Sequence, residues 1–522
     1  MASNVIINRS PDHALQVCSN CKIRKKACDK AFPSCGYYTY RALVCRYTAP
    51  ASLPEAENND SETEAPSYRE FILSLEAPAT TTAADMESFR ISCSSMPSSL
   101  MLMDTISDSV LSRSLSFGKL AESLGLDGIL HDQVHSIIRA TGQFIDDVTV
   151  RYFRGIHEWI PVISRGSFQN RLINSSAPAR ADFSILLLSM CLITYRPSRV
   201  TAQLINQDTM YFTTKMLFAH VQAFISSSPN LIQAGILISI YEYAHGKLDT
   251  AYNSIANCAK MAHAIGLHKL KSSLDPQENE ASLGGDEEKN IWWGIVIYER
   301  AIFCDIMPAD QPLATRFPSS FVPLPSESAV LDRNGTTHVR AMTRLSVSAV
   351  DIKHVGGFGR QTQAAYLLDQ VLNIIKIVDI KTKLLELGKA DKDLMGFLGI
   401  LLEKSYKAEE HYCGSIAICI RALYVLHCYI LDQAFTGLEN WGQYSAAALD
   451  TVSKMVIDIA DYCNKQCDSF HIHPPPPTTF YIVQAALKHL DTDPCLEGDF
   501  RSKDYEALRK FLDNFHNRWS II

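Results

Sequence analysis

The stretch Thr250–Leu267, TAYNSIANCAKMAHAIGL, indicates the fold class of most of this chain of 522 residues. Its apolar residues recur three and four positions apart, which places them on one face of an α-helix. Alternation of apolar and polar residues between hairpin turns, the pattern of half-buried strands, is rare after about residue 116. We therefore predict an all-α body whose helices bury apolar faces against one another.

The same helical spacing recurs on both sides of this stretch. Before it, the spacing is found in residues 117–126, 146–163 and 181–194. After it, we predict helices over Thr362–Gly388, Leu394–Phe435, Tyr444–Cys467 and Thr478–Leu490. Between the two groups, Pro308–Ser328 is rich in proline and is predicted to be an extended loop, because proline fixes φ and removes a backbone donor.

Charge is distributed unevenly along the chain. The net charge is −7, but residues 1–50 hold eight Lys and Arg against two Asp and Glu, and residues 51–100 hold two against nine. A basic head followed by an acidic tract suits a small module that contacts nucleic acid, attached to a body that does not.

The basic head contains a cluster of cysteines. Five of the 15 cysteines of the chain lie there: Cys18, Cys21, Cys28, Cys35 and Cys45. No apolar core of a signal peptide is present at the N-terminus, so we expect a reducing compartment, where clustered thiolates bind metal more often than they form disulfides. Basic residues follow the second cysteine and would present cations to DNA: Lys22, Arg24, Lys25 and Lys26.

The cysteine spacing, the basic segment and Pro33 together closely resemble the binuclear zinc cluster of fungal transcription factors. In that family six cysteines hold two zinc ions, and the first and fourth cysteines bridge both metals. The resemblance implies a DNA-binding domain over residues 14–48 with Zn²⁺ as its cofactor. It also implies that Lys25 reads a CGG-type triplet in the major groove, while Lys22, Arg24 and Lys26 contact phosphates.

One position departs from the family pattern. The fifth cysteine is expected at residue 38, where this chain has Tyr38. The resemblance then implies one zinc site with four thiolates and a second site with only Cys18, Cys35 and Cys45. A phenol with a pKa of about 10 is a poorer zinc ligand than a thiol with a pKa of about 8.5. We expect the second zinc to bind weakly, with His13 or water as alternative fourth ligands.

Three stretches of the body are similar to the fungal-specific transcription factor homology region: residues 152–172, 251–269 and 287–302. This resemblance implies a regulatory helical region without catalytic residues. The sequence as a whole predicts a mostly α-helical chain of four parts. These are a zinc-cluster domain (14–48), a disordered acidic and serine-rich linker (49–115), a helical homology region (116–375) and a C-terminal helical region (376–522).

The sequence does not predict an enzyme or a membrane protein. It has no P-loop, no Gly-x-Gly-x-x-Gly after a strand, no His-Glu-x-x-His and no Gly-x-Ser-x-Gly. The longest strongly apolar stretch, around Ser184–Tyr195, is shorter than the ~20 residues that cross a bilayer.

Several residues of the body have both a structural and a ligand-binding interpretation. Four are predicted to pack in the core rather than to form a ligand cage: Trp159, Trp292, Trp293 and Tyr298. Three are expected to be lone structural histidines: His157, His263 and His268. A second zinc site is the weaker interpretation of Cys463, Cys467, His471 and His473, because cysteines four apart also occur on any buried helix face.

The resemblance implies a nuclear, sequence-specific regulator of RNA polymerase II transcription that binds double-stranded DNA and controls a metabolic or secondary-metabolite pathway. Expected partners are transcription coregulators, recruited by the acidic tract Glu55–Glu64, and a small-molecule effector. Residues 49–115 lack sustained heptads, so the chain would bind DNA as a monomer or form a homodimer through its body. The alternative is a divergent relative in which Tyr38 impairs DNA binding and the body acts through protein contacts.

Overall fold

The structure is a computed structural model in which part of the chain is described. The described residues are 125–173, 179–196, 206–269, 283–306, 312–318, 322, 324–325, 346–352, 355–406, 412–433, 439–466, 470, 473–492 and 499–519. By internal contacts the chain divides after Phe71 into two units, and every described residue belongs to the second unit. The predictions for the cysteine block and the acidic linker therefore lie outside the described residues.

The described residues form fourteen α-helices and no strand, which confirms the predicted all-α body for this part of the chain. The first eight are α1 (Leu126–Ala140), α2 (Ile145–Arg154), α3 (Arg165–Ile173), α4 (Ala181–Thr194), α5 (Gln207–Phe224), α6 (Pro229–Ala244), α7 (Leu248–Ala264) and α8 (Leu283–Ile306). The remaining six are α9 (Gly357–Ile374), α10 (Ile380–Tyr406), α11 (Cys413–Asp432), α12 (Glu439–Lys465), α13 (Pro477–Thr492) and α14 (Asp499–Trp519).

Two helices form the centre of the N-terminal half. Every residue of α4, and every residue of α6 after its first two, is buried, as expected for helices that are apolar on all sides. Helix α4 packs against α1, α2, α5 and α6, and α6 packs against α7 and α8. Helices α6 and α7 approach closely at Gly235 on α6, where an added Cβ would lie 2.6 Å from the Cys258 Sγ on α7. A larger residue at this position would force the two helices apart.

Helix α11 is the centre of the C-terminal half and packs against α9, α10, α12 and α13. Among the described residues it is the one helix long and apolar enough to cross a bilayer, and 78% of its most apolar window is buried inside the protein. The prediction that Ser184–Tyr195 is the longest apolar stretch was therefore wrong. Burial by four neighbouring helices accounts for the composition of α11, because a helix enclosed on all sides has no polar face.

Helix boundaries differ from the predicted ones in two places. The predicted segment Thr362–Gly388 contains a break between α9 and α10, and Leu394–Phe435 contains a break between α10 and α11. At the first break the Asp379 carboxylate accepts the Thr382 backbone N–H (2.9 Å), which caps the start of α10. Apolar residues continue through the first break, at residues 374–380, and concealed it, whereas the sequence at the second break is polar. Residues 312–318 in the predicted proline-rich loop are not helical.

Candidate functional site

The residues predicted to bind zinc and DNA lie outside the described residues: Cys18, Cys21, Cys28, Cys35, Cys45, Lys22, Arg24, Lys25 and Lys26. Within the described ranges, no group of three or more His, Cys, Asp and Glu is placed to hold a metal ion. Of the weaker zinc interpretation, Cys463 and His473 are described. The His473 Nδ1 lies 2.9 Å from the Glu158 carboxylate.

A cleft of about 360 Å³ lies beside the C-terminal end of α7, and its size is within the range of small-molecule sites. We call it the α7–α8 cleft. Its lining residues are His263, His268, Trp292, Ala314, Arg316, Phe317, Pro318 and Val322. His263 lies in the last turn of α7 and His268 just after its end. Trp292 belongs to α8, and the other lining residues come from the proline-rich segment. The cleft therefore has one helical wall and one wall made of extended chain.

The helical wall depends on how α7 ends. Gly266 has a left-handed φ of +82°, its N–H donates to the His263 carbonyl (3.2 Å), and the Leu267 N–H donates to the Ala262 carbonyl (3.0 Å). This pair of bonds is a Schellman motif, which needs a residue that tolerates positive φ and hence glycine. The reversal brings the His263 and His268 rings to 4.3 Å from each other.

Trp292 completes this wall. Its ring lies 5.2 Å from that of His263, edge to face, and 6.1 Å from that of His268. The Trp292 Nε1–H and the His268 Nδ1 are buried and have no hydrogen-bond partner in the described part of the protein. Burial, followed by the charges of His263 and Lys269, lowers the pKa of His268 below its ordinary value. His268 is thus favoured in its neutral form.

The extended wall is fixed by a buried ion pair on α8. The Glu299 carboxylate accepts the backbone N–H groups of Ala314 (2.5 Å) and Thr315 (3.1 Å). The Arg300 guanidinium donates to the Thr315 carbonyl (2.9 Å) and to Asp369 on α9 (3.0 Å). Because the two charged side chains are almost fully buried and bound to the backbone, they hold this segment against the helices.

Phe317 packs against two aromatic rings and the guanidinium of Arg300. Its ring lies 5.7 Å from that of Trp293, 5.6 Å from that of Tyr366 and 5.6 Å from the Arg300 Cζ. Between the fixed residues Thr315 and Phe317 lies Arg316, which is exposed and lines the cleft. Among the described residues Arg316 has no hydrogen bond or ion pair. The described lining of the cleft therefore combines aromatic and apolar groups with the guanidinium of Arg316, which has no partner among the described residues.

Sequence reasoning identified only part of this site. Trp293 and Tyr298 are fully buried, which confirms their predicted place in the core, whereas Trp292 is buried and also lines the cleft. Trp159 is half-buried and donates from Nε1 to the Pro474 carbonyl (3.1 Å). The prediction that His263 and His268 are lone histidines was wrong, because the turn at Gly266 pairs them.

His157 is a structural histidine, as predicted. Its ring packs 5.0 Å from that of Phe153, and burial lowers its pKa to about 4. Arg316 and Phe317 were not among the predicted site residues. Their placement depends on the bonds from Glu299 to Ala314 and from Arg300 to Thr315, each across 15 residues of sequence. No local sequence pattern predicts these bonds.

Comparison with known proteins identifies part of the chain. Residues 150–306 match the fungal specific transcription factor domain, so α7, α8 and the helical wall of the cleft lie within the matched region. Over 150 residues, which are 28% of this chain and 77% of the relative, the sequence is 29% identical to transcription factor BOA15 of Botryotinia fuckeliana (strain B05.10). Proteins of this kind are in general nuclear and are not enzymes. These similarities support a transcription regulator whose helical body contains a fungal-specific transcription factor region.

Proposed function

We propose that this protein is a sequence-specific, DNA-binding regulator of RNA polymerase II transcription, located in the nucleus. The observation that carries the proposal is the presence of two features in one chain. Residues 150–306 match the fungal specific transcription factor domain, and residues 14–48 carry the basic cysteine block. Neither feature alone requires DNA binding, but together they are the arrangement expected of a regulator with a separate reading module.

The cysteine donors fit one zinc ion fully and a second zinc ion incompletely. Cys18, Cys21, Cys28 and Cys35 supply the four thiolates that a tetrahedral structural site needs. A second ion would share two of these thiolates and add Cys45, leaving Tyr38 at the fourth position. When bound, zinc supplies folding energy rather than chemistry, so the loss of one thiolate would weaken the DNA-binding module itself.

Recognition of DNA is assigned to the basic segment. Lys25 is proposed to donate to the O6 and N7 acceptors of guanine in a CGG-type triplet, and Lys22, Arg24 and Lys26 to bind phosphates. The helical body would then serve regulation, through coregulators, through a homodimer contact or through a small-molecule effector. Control of a metabolic or secondary-metabolite pathway belongs to the same proposal.

The test is a titration of the full chain against a fluorescent duplex containing CGG triplets, with zinc present and after chelation. We expect zinc-dependent binding, at least about tenfold weaker on a scrambled duplex. Lys25→Ala is expected to remove the preference for CGG, and Lys26→Ala to weaken binding to both duplexes alike. Equal, zinc-independent affinity for the two duplexes would sink the proposal.

A second candidate function rests on Tyr38. If the missing thiolate prevents the module from folding, the chain is a divergent relative that acts through protein contacts of its body. Tyr38→Cys separates the two functions. Binding to CGG by both the natural chain and the variant supports the DNA-binding regulator, whereas binding by the variant alone supports the divergent relative.

A further inference from the structure

We infer that the α7–α8 cleft binds a small planar organic anion, a carboxylate carried on an aromatic or conjugated framework. The inference that such an anion binds depends only on the residues of the cleft. Its use as a signal that changes transcription rests on the function proposed above. The inference therefore specifies the chemical class of an effector.

The shape and composition of the cleft favour a flat, mainly apolar framework. The cleft has a volume of about 360 Å³, and half of its lining side chains are apolar: Ala314, Phe317, Pro318 and Val322. Trp292 adds an aromatic surface next to the two imidazole rings. Aromatic frameworks stack on such groups at centroid distances of ~4.5–7 Å, which gains energy beyond the area that is buried.

The charges of the lining favour an anion. Arg316 is an exposed guanidinium without an ion pair among the described residues, and none of the described residues that line the cleft carries a carboxylate. A guanidinium presents parallel N–H donors that match the two oxygens of a carboxylate, so Arg316 can bind such a group with two hydrogen bonds. A cationic ligand would meet repulsion from Arg316 and find no opposite charge among the described lining residues.

Two buried polar atoms of the lining residues lack partners. These are the Nε1–H of Trp292, a side chain only 2% exposed, and the Nδ1 of His268. A buried donor without an acceptor destabilises a protein by about 1–3 kcal/mol. An oxygen of a bound ligand would supply the acceptor for Trp292, so that part of this cost is recovered when the cleft is occupied.

The wall that carries Arg316 is rigid before any ligand binds. Glu299 and Arg300 are 0% and 1% exposed and fix the backbone of Ala314 and Thr315, and Phe317 is held among three aromatic or charged neighbours. Binding therefore does not have to order this segment, which reduces the entropic cost of association. A ligand that bridges Arg316 and Trp292 would also stabilise the arrangement of α7, α8 and this segment in which both residues line one cleft.

The test compares two probes of the same shape that differ in charge. Full-length protein is titrated with 2-naphthoate and with the neutral 2-naphthamide, using calorimetry and the quenching of tryptophan fluorescence, in the absence of DNA. We expect 2-naphthoate to bind at least about tenfold more tightly than 2-naphthamide, because a paired charge is worth more than a neutral hydrogen bond. Equal affinities, or no binding of either probe, would overturn the inference.

Four variants locate the probe. Arg316→Gln is expected to reduce the affinity for 2-naphthoate to that for 2-naphthamide, and Arg316→Lys to restore part of the difference, since lysine keeps the charge but not the paired donors. Trp292→Phe removes one donor and is expected to weaken both probes several-fold. Arg154→Gln, on an exposed arginine of α2 outside the cleft, is the matched control and should change neither affinity.

The outcome is independent of the DNA-binding test. Thermal melting of each variant shows whether it is folded, and Arg316 is exposed, so its replacement should leave the fold intact. A preference for 2-naphthoate that persists in Arg316→Gln would show that the anion binds elsewhere and would contradict the inference. Loss of CGG binding with a normal response to 2-naphthoate would instead contradict the proposed function and leave the cleft assignment standing.

Discussion

Two arginines of the helical body, Arg300 and Arg518, are almost fully buried, but their surroundings differ. Arg300 on α8 is 1% exposed and lies 2.7 Å from the Glu299 carboxylate and 3.0 Å from that of Asp369. Arg518 near the end of α14 is 4% exposed, and its Nε has no hydrogen-bond partner. The charged groups that lower the pKa of Arg518 are two further arginines, Arg196 and Arg151, and its Cζ lies 5.1 Å from the centre of the Trp519 ring.

The difference shows what a buried charge does when it is paired and when it is not. Arg300 uses its partners to hold the backbone of Thr315 and thereby one wall of the cleft. Burial, and then the charges of Arg196 and Arg151, lower the pKa of Arg518 to about 9. A buried charge without a counter-charge destabilises the folded state, whereas a buried pair with satisfied hydrogen bonds can fix one arrangement of the chain.

The largest effect on stability is expected from breaking the buried cluster of Glu299, Arg300 and Asp369, which we call the paired cluster. Glu299→Ala leaves Arg300 with one carboxylate and the Ala314 and Thr315 N–H groups without their acceptor. We expect a loss of about 3–5 kcal/mol in the free energy of unfolding, measured by denaturant titration of the full chain. Glu386→Ala is the control, because Glu386 pairs with Lys389 on the exposed surface of α10 and should lose less than about 1 kcal/mol. Similar losses in the free energy of unfolding for both variants would show that the buried pair matters no more than the surface pair.

Removing a charge from the cluster of Arg518, Arg196 and Arg151, which we call the unpaired cluster, should change stability in the opposite direction. Arg518→Met keeps much of the side-chain length and removes the buried charge, so we expect a gain of about 1–2 kcal/mol in the free energy of unfolding. Arg154→Met, at an exposed position, should change stability by less than about 0.5 kcal/mol. A destabilised Arg518→Met would mean that the Arg518 charge has a favourable partner and that the two clusters are alike.

The end of α14 is also expected to be sensitive to acid. The ring of His245 stacks 3.9 Å from that of Tyr241, and its Nε2 lies 3.0 Å from the Trp519 carbonyl. Burial lowers the pKa of His245 to about 4. Because this folded-state pKa lies below the ordinary value of about 6.5, the unfolded chain binds the proton more readily. The contribution to stability is full above about pH 6.5 and is lost as the pH falls toward 4.

Thermal melting at pH 7 and pH 5 measures this effect. His245→Gln cannot take up the proton and should lose less stability between the two pH values than the natural protein does. Buried His157 and His135, whose pKa values are also lowered to about 4, remain in both chains and supply the common background. Identical losses in the two chains would show that His245 does not contribute.

The smallest effect on stability is expected at the surface of the cleft. Arg316→Gln changes an exposed residue beside the paired cluster without touching Glu299 or Arg300. We expect its free energy of unfolding to stay within about 0.5 kcal/mol of the natural value, while the preference for 2-naphthoate is lost. A large loss of stability would show that Arg316 belongs to the paired cluster rather than to the cleft.

Local periodicity was sufficient to predict the all-α body, because three- and four-residue spacing acts within each helix. It did not locate the breaks before α10 and α11, and at the first of these apolar residues continue across the interruption. Helix α14 lies in the predicted C-terminal helical region but was not predicted as a separate helix, although Leu508, Phe511, Phe515 and Trp519 recur three and four apart and are buried. The many charged residues between them concealed the apolar face.

The sequence by itself determined the helical class of the body and provided the spacing on which the zinc and DNA assignments rest, since both depend on residues close together in the chain. Only the tertiary structure decided which charges are paired. Asp369 reaches Arg300 from 69 residues away, and Arg151, Arg196 and Arg518 come from distant segments. The cleft likewise exists because a turn at Gly266 and a buried ion pair bring two segments together. Such contacts depend on packing between helices, which a local sequence pattern cannot predict.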